Sequence, residues 1–317
     1  VMVADARDLG LGEISFSLSS LNLCLEAPLF SLDGQHMRLT RYPNSNSTED
    51  WMHVETVNPN SSTSYPEFKL TDERVLGWSY QESDWLYSSY IRYGWAQGYF
   101  HGTLNRETGI VTATDTAYYG SAGQKPVQIY NAYESLDEPG EWYYDQMSGR
   151  LYIYPFADTT RNSTLRMTSS NFDLISVNGA SYLNLEGLTV TSSKKDGIVM
   201  NNVDHCVIEN CTLTSFEGRA VSIDNATYSG LKNSEVAYTS ISAIYLNGGD
   251  YQTMEPGYDF ITNCRIHDTN QYRTMNEGGV KFRGVKNTFS NNEVYNITDM
   301  ALNFAIVGGG PTSLDCV

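Results

Sequence analysis

Basic residues are scarce in this chain of 317: 20 Lys and Arg stand against 37 Asp and Glu, a net charge of −17. A surface that tracks a nucleic-acid backbone needs clustered cations to displace counterions, and no basic patch occurs anywhere, so nucleic acid is excluded as a partner. No run approaches the ~18 uninterrupted apolar residues of a membrane span. The opening VMVADARDLG lacks the basic-then-apolar order of a signal peptide, and the chain starts at Val1 rather than Met. It reads as a fragment or processed segment. Cys24, Cys206, Cys211, Cys264 and Cys316 contain no C-x-x-C pair, which argues against a zinc ribbon or a disulfide scaffold and for buried thiols. His36, His53, His101, His205 and His267 are scattered without H-x-x-x-H spacing, so no transition-metal site is expected. Gly308-Gly309-Gly310 has neither the preceding strand nor the Lys of a phosphate loop and is expected to be a flexible tail.

What the chain does contain is 40% hydrophobic residues, 12% of the total being aromatic, enough to build a core and exclude global disorder. Sequons at Asn46, Asn60, Asn162, Asn210, Asn225 and Asn296 suit an extracellular, secreted glycoprotein, although chance placement predicts nearly as many. The composition shifts near residue 165. All five Trp and 15 of 23 Tyr precede it. Residues 1–165 read as an antiparallel, sandwich-like β-rich domain, because Asp33-Gly34 sits between alternating apolar residues and supplies the positive φ angles of a tight hairpin turn. Ser148-Gly149 is expected to do the same between the aromatic strands of EWYYDQMSGRLYIY.

Residues 166–304 are an internal repeat. Aligning NLEGLTV, VIENCTL, GLKNSEV, FITNCRI and TFSNNEV puts Gly187, Asn210, Asn233, Asn263 and Asn291 in one column, spaced 23, 23, 30 and 28. A second column holds Ile198, Val221, Ile244, Val280 and Leu302, spaced 23, 23, 36 and 22. A shared period with alternating apolar residues predicts a parallel β-solenoid, since one turn cannot bury its apolar side and stacked turns about 4.8 Å apart can. Ile198/Met200, Val221/Ile223, Ile244/Leu246, Val280/Phe282 and Leu302/Phe304 are the expected inward stacks. The Asn column is expected at a bend, its amides bonding from turn to turn. The L-x-x-L-x-L consensus of a leucine-rich repeat is missing. Residues 305–317 are expected to be an irregular tail, and an uncapped solenoid end would expose strand edges and promote aggregation.

The segments RYPN (41–44), YNAYESLDEPGEWYYDQMSGRLYIYPF (130–156) and YLNGGDYQTMEPGYDFITNCRIHDTNQYRT (245–274) resemble secreted right-handed parallel β-helix proteins, from about Asp5 to Phe304. That group has the pectin-lyase-like solenoid and borders β-helical glycoside hydrolases of plant or algal polysaccharides. The resemblance implies an all-β fold in which the antiparallel domain precedes or interrupts the helix, and a glycan as partner.

Two insertions break the period: NGGDYQTMEPG after Leu246 and TNQYRTMNEG after Asp268. Insertions in a solenoid map to one flank, often the binding flank. They are expected to gather Asp250, Glu255, Asp259, Asp268, Glu277, Tyr251, Tyr272 and Arg273. Glycosidic hydrolysis needs two carboxyls, one protonated and one ionised, about 5–5.5 Å apart for retention or 6.5–9.5 Å for inversion. The leading expectation is therefore a glycoside hydrolase with Asp250 and either Asp268 or Glu277 as the pair, Asp299 as a further acid, and Tyr245, Tyr251, Tyr272, Arg273 and Lys281 against the sugar, with no cofactor. The enzymatic rival is a polysaccharide lyase. In β-helical lyases of this kind a basic residue on the outward ladder removes the proton α to a uronate carboxylate while a cation or Arg neutralises that carboxylate, and the resemblance implies Lys281 and Arg283 as such a pair, with Ca2+ held by acids. A non-catalytic glycan-binding or adhesion module is the third possibility.

Overall fold

The computed structural model describes residues 1–11, 14–19, 21–44, 51–60, 64–89, 96–275, 277–304 and 313–314. Asn46, Cys316 and the Gly308–Gly310 run lie outside these. The chain divides into two compact units, Val1–Arg166 and Met167–Val317.

In the first unit one sheet runs in the order Met2–Asp5, Arg150–Ile153, Glu141–Asp145, Gln35–Leu39 and Phe30–Leu32. A second contains Leu86–Ser89, Gln124–Tyr130, Met52–Thr56 and Glu67–Lys69 in consecutive antiparallel register. Leu32 pairs with Gln35 across Asp33 (φ 51°) and Gly34 (φ 84°), which is the tight hairpin expected from Asp-Gly. The second hairpin differs. Asp145 pairs with Arg150, so four residues intervene. The Asp145 carboxylate organises them by accepting the Met147 and Ser148 backbone N–H groups, both at 3.0 Å. Burial of Trp85, Trp142, Tyr87, Tyr99 and Tyr143 explains why the aromatics collect in this unit. Their polar atoms need partners in the core, and Tyr143 Oη donates to the buried Asp84 at 3.0 Å.

The second unit is a parallel β-helix with three sheets along its length. The first sheet contains Ile175–Asn178, Ile198–Asn201, Val221–Ala226, Ile244–Asp250, Val280–Val285 and Leu302–Asn303. The second contains Asn184–Glu186, Val207–Glu209, Gly230–Lys232, Phe260–Thr262 and Thr288–Ser290. The third contains Thr189–Ser193, Thr212–Phe216, Glu235–Thr239, Arg265–Thr269 and Glu293–Ile297. Ile198, Val221, Ile244 and Val280 pair in direct register. They and Met200, Ile223, Leu246 and Phe282 are completely buried, as alternation requires. The last expected stack is looser: Leu302 is half-buried and Phe304 is 46% exposed. Ser313 and Leu314 pair in parallel with Gly284 and Val285, so the segment after Phe304 contains a short strand.

The Asn column has a different cause from the one expected. Gly187, Asn210, Asn233, Asn263 and Asn291 all have φ between 51° and 67°, the left-handed conformation that Gly and Asn tolerate best. Their backbones turn the corner between the second and third sheets. The amide ladder runs elsewhere, from Asn225 to Asn202 to Asn178. Cys24, Cys206, Cys211 and Cys264 are free and buried.

Candidate functional site

Residues 245 and 281 face outward on neighbouring strands of the first sheet, where Tyr245 pairs with Lys281 and Ser222 with Tyr245. Two residues along, Asp224 pairs with Asn247 and Asn247 with Arg283. Strand alternation puts these side chains on one outward strip, opposite the core stacks.

A buried ion-pair network forms at the near end of this strip. Glu277 Oε1 lies 2.9 Å from Arg273 Nη1, and Oε2 lies 2.7 Å from Lys281 Nζ. The Glu277 side chain is 2% exposed and that of Lys281 14%. Burial works against ionisation of Glu277, but Lys281, Arg273 and the Ser242 hydroxyl outweigh it, and its carboxyl is held below the ordinary range. Burial also pulls the Lys281 ammonium down, Glu277 opposes this, and the nearby Arg219 and Arg273 reinforce it, so its pKa is below the ordinary lysine value. Tyr245 lies between two further cations: the guanidinium carbons of Arg219 and Arg283 are 5.6 and 5.4 Å from its ring centre. Arg219 is held in place by its neighbours in adjacent turns, its backbone N–H donating to Asp196 at 2.7 Å and its Nε to Ser242 Oγ at 3.2 Å. Asp224 accepts from Asn247 Nδ2 at 2.8 Å.

Four of the residues expected from sequence therefore meet: Tyr245, Arg273, Glu277 and Lys281, with Arg283 beside them. The others do not join them. Asp250 is exposed in the hairpin formed by Gly249-Asp250 and Glu255-Pro256, and its carboxylate accepts the Gln252 N–H at 2.7 Å. Tyr251 is 45% exposed on the same hairpin turn. Asp268 belongs to the third sheet, bonded to His267 Nδ1 at 2.7 Å and to Asn296 Nδ2 at 3.2 Å. Asp250 ends a seven-residue strand, roughly 20 Å from its start. The strand bearing Asp268 leads by way of Glu277 into the opposite end of the neighbouring strand. The expected pairing of Asp250 with Asp268 is thus not assembled, because the two insertions leave the coil at different corners. Asp259 is fully buried, Asp299 is exposed, and Tyr272 is buried with its backbone N–H bonded to Ser240. Glu277, ionised between two cations, is unsuited to donate a proton.

Arg219, Ser242 and Asp224 were not among the expected residues. The signal for Arg219 and Ser242 was the column two places before each first-sheet strand, Asp196, Arg219 and Ser242, which bonds from turn to turn, whereas Asp224 lies within its strand on the outward alternation. Among the described residues no group of three or more His, Cys, Asp or Glu is arranged to hold a metal ion. A Ca2+ on this strip does not fit the residues present: its two carboxylates are engaged by Lys281, Arg273 and Asn247, and its other charged groups are cations.

Residues 173–307 match the family described as right handed beta helix region. No curated protein matches the chain. Among solved structures, one described as a glycoside hydrolase is similar at 9% identity with a TM-score of 0.42, over 95% of this chain and 81% of that one. A GH87 alpha-1,3-glucanase catalytic domain in complex with nigerose is similar at 10% identity and a TM-score of 0.19, over 92% and 66%. A GH87 alpha-1,3-glucanase catalytic domain with tetrasaccharides follows at 11% and 0.16, over 88% and 70%. At these identities and scores the likeness bears on neither substrate nor mechanism. The family match, read with the three stacked parallel sheets, identifies the fold of the second unit as a right-handed parallel β-helix.

Proposed function

We propose that the β-helix unit is a carbohydrate-active enzyme of the extracellular space that cleaves an anionic polysaccharide on the outward strip of its first sheet. The observation that carries this reading is Lys281: a largely buried amine, lowered in pKa, among Arg219, Arg273 and Arg283 in a chain of net charge −17. Clustered cations in an otherwise acidic protein favour an anionic substrate, and guanidinium groups match carboxylate geometry.

The chemistry that follows is elimination. The Lys281 amine, in its neutral form, takes the proton α to a uronate carboxylate while arginine stabilises the developing charge. The C–H electron pair becomes a carbon–carbon double bond, the C–O bond to the leaving sugar breaks, and the leaving oxygen takes a proton from solvent. Lowering the pKa of Lys281 increases the neutral fraction near neutrality. Glu277 orients the amine.

A second reading is hydrolysis, favoured by one observation: Asp224 places a half-buried carboxylate on the same strip, one strand from Tyr245. Incubation of the full chain with uronate-containing and neutral polysaccharides separates the two. Unsaturated product that is lost in Lys281→Ala supports elimination. Reducing ends without the unsaturated chromophore, lost in Asp224→Asn, replace it with hydrolysis. Binding without either product leaves a glycan-adhesion module. Removing the base is expected to cost at least ~10²-fold in rate.

A further inference from the structure

The corner between the second and third sheets carries a groove unrelated to the strip of Lys281. It is open, about 450 Å³, and lined in three consecutive coils by Asn210 and Thr212, Asn233 and Glu235, and Asn263 and Arg265. The residues form two rows parallel to the helix axis. Thr212, Glu235 and Arg265 are cross-strand partners in direct register.

Left-handed backbone explains why Asn occupies the corner, but it does not use the amides. Gly187 fills the same position in an earlier coil with no side chain. Asn210 Nδ2 donates to Glu186 at 3.3 Å; the side chains of Asn233 and Asn263 make no hydrogen bond among the described residues and are exposed. Each amide offers two donors and an acceptor. With coils about 4.8 Å apart, the three amides span roughly 10 Å, the length of a disaccharide segment.

The charge around the groove selects what lies there. Glu235 and Glu293 lie 3.4 and 3.3 Å from Arg265, and Glu209 lies 2.7 Å from Lys232, so the local cations are already neutralised. Glu186 adds a further negative charge at the rim. A polyanion is repelled, whereas a neutral chain of hydroxyl groups finds paired donors and acceptors at regular intervals.

We propose that the Asn210–Asn233–Asn263 corner is a second, non-catalytic binding site for a neutral, extended glycan running along the helix axis. This rests on the carbohydrate reading above, but it uses a different face and substrate charge. It would hold the enzyme on a neutral polymer while the cationic strip works on an acidic one.

The test is calorimetric titration of the full chain with two neutral probes, cellohexaose and laminarihexaose. Asn233→Gly with Asn263→Gly removes both amides while suiting the positive φ, and Thr212→Val removes a hydroxyl at constant shape. The double variant is expected to weaken binding at least tenfold with an unchanged melting temperature, and Thr212→Val to weaken it severalfold. Wild-type affinity in both variants, or no binding of either hexasaccharide to the native chain, overturns the site. Cleavage assays on the native chain report separately: neutral binding without cleavage of any polymer keeps this site and ends the enzymatic reading, and cleavage without neutral binding does the reverse.

Discussion

Lys281 Nζ lies 2.7 Å from Glu277 Oε2, and this contact joins a strand of the first sheet to the insertion that precedes it. Both groups are largely out of water, so each charge is stabilised by its counterion there. Arg273, four residues before Glu277, adds a second cation from the same insertion. The contact converts a surface loop into part of the strip.

Glu277→Gln is expected to destabilise the β-helix by about 3–5 kcal/mol, since it leaves a buried ammonium without its counterion. The double replacement Glu277→Met with Lys281→Met should recover much of that loss. Urea denaturation followed by far-UV circular dichroism measures both. Equal stability of Glu277→Gln and the native protein would show that the pair is solvated.

Elimination by the Lys281 amine requires its neutral form, and its pKa lies below the ordinary lysine value of 10.5. The rate is therefore expected to rise with pH and to level off before that value. Ser242→Ala withdraws a hydroxyl that favours ionised Glu277 and should displace the midpoint. A pH–rate profile that falls on the alkaline side across the same range is the result that would sink Lys281 as base.

Asp259 gives the β-helix a pH dependence of opposite use. Its side chain is fully buried; Oδ1 accepts the Ser229 N–H at 2.8 Å and Oδ2 has no hydrogen-bond partner among the described residues. Burial, with a smaller contribution from Asp204, pushes its carboxyl up to about 7 from an ordinary 3.8. The folded state thus binds a proton more readily than the unfolded chain, so stability is full below the unfolded value and is lost as pH rises from about 4 to about 7. The total is at most about 4 kcal/mol. Hydrogen exchange of the strand Phe260–Thr262 at pH 5 and pH 8 should show the loss in the native protein and not in Asp259→Asn.

Glu141 follows the same sign in the other unit. Burial pushes its carboxyl up to about 7 against the Asp137 and Glu138 backbone N–H groups that bind its ionised form. Because all five Trp lie in the first unit, tryptophan fluorescence reports that unit alone. Glu141→Gln should flatten its stability between pH 5 and pH 8, and an unchanged slope would count against burial as the cause.

Two glycines of the repeat should respond very differently to alanine. A Cβ on Gly230 would stand 2.0 Å from the Phe260 carbonyl oxygen of the next coil, whereas a Cβ on Gly187 meets nothing within 4 Å. Gly230→Ala must push two coils apart and is expected to cost several kcal/mol. Gly187→Ala carries only the strain of φ 67°, about 1 kcal/mol. Comparable melting temperatures for the two variants would refute the close approach.

The sequence by itself determined the β-helix, because period and alternation are local consequences of a strand geometry that repeats. Ile198, Val221, Ile244 and Val280 could be placed in one inward column before any coordinates, and the buried thiols at Cys206, Cys211 and Cys264 followed from the absence of paired spacing. Tyr245, Arg273, Glu277 and Lys281 could each be named from the sequence, Arg273 and Glu277 from the second insertion and Tyr245 and Lys281 from the outward alternation of their strands, but their meeting could not. The convergence of Asp250 and Asp268 was not determined by the sequence, and only the tertiary structure placed them at different corners of the coil. Insertion length tells where the period breaks but not the direction in which the loop departs, and that direction depends on the turn at each sheet end. The role of Asn210, Asn233 and Asn263 was decided in the same way. A column of amides is compatible with a ladder or with a left-handed corner, and the φ angles select the corner, leaving the side chains directed to solvent. The ionisation of Glu277 likewise belongs to the fold: burial alone would raise its pKa, and Lys281 and Arg273, brought within 2.7 and 2.9 Å, reverse the sign together with the Ser242 hydroxyl.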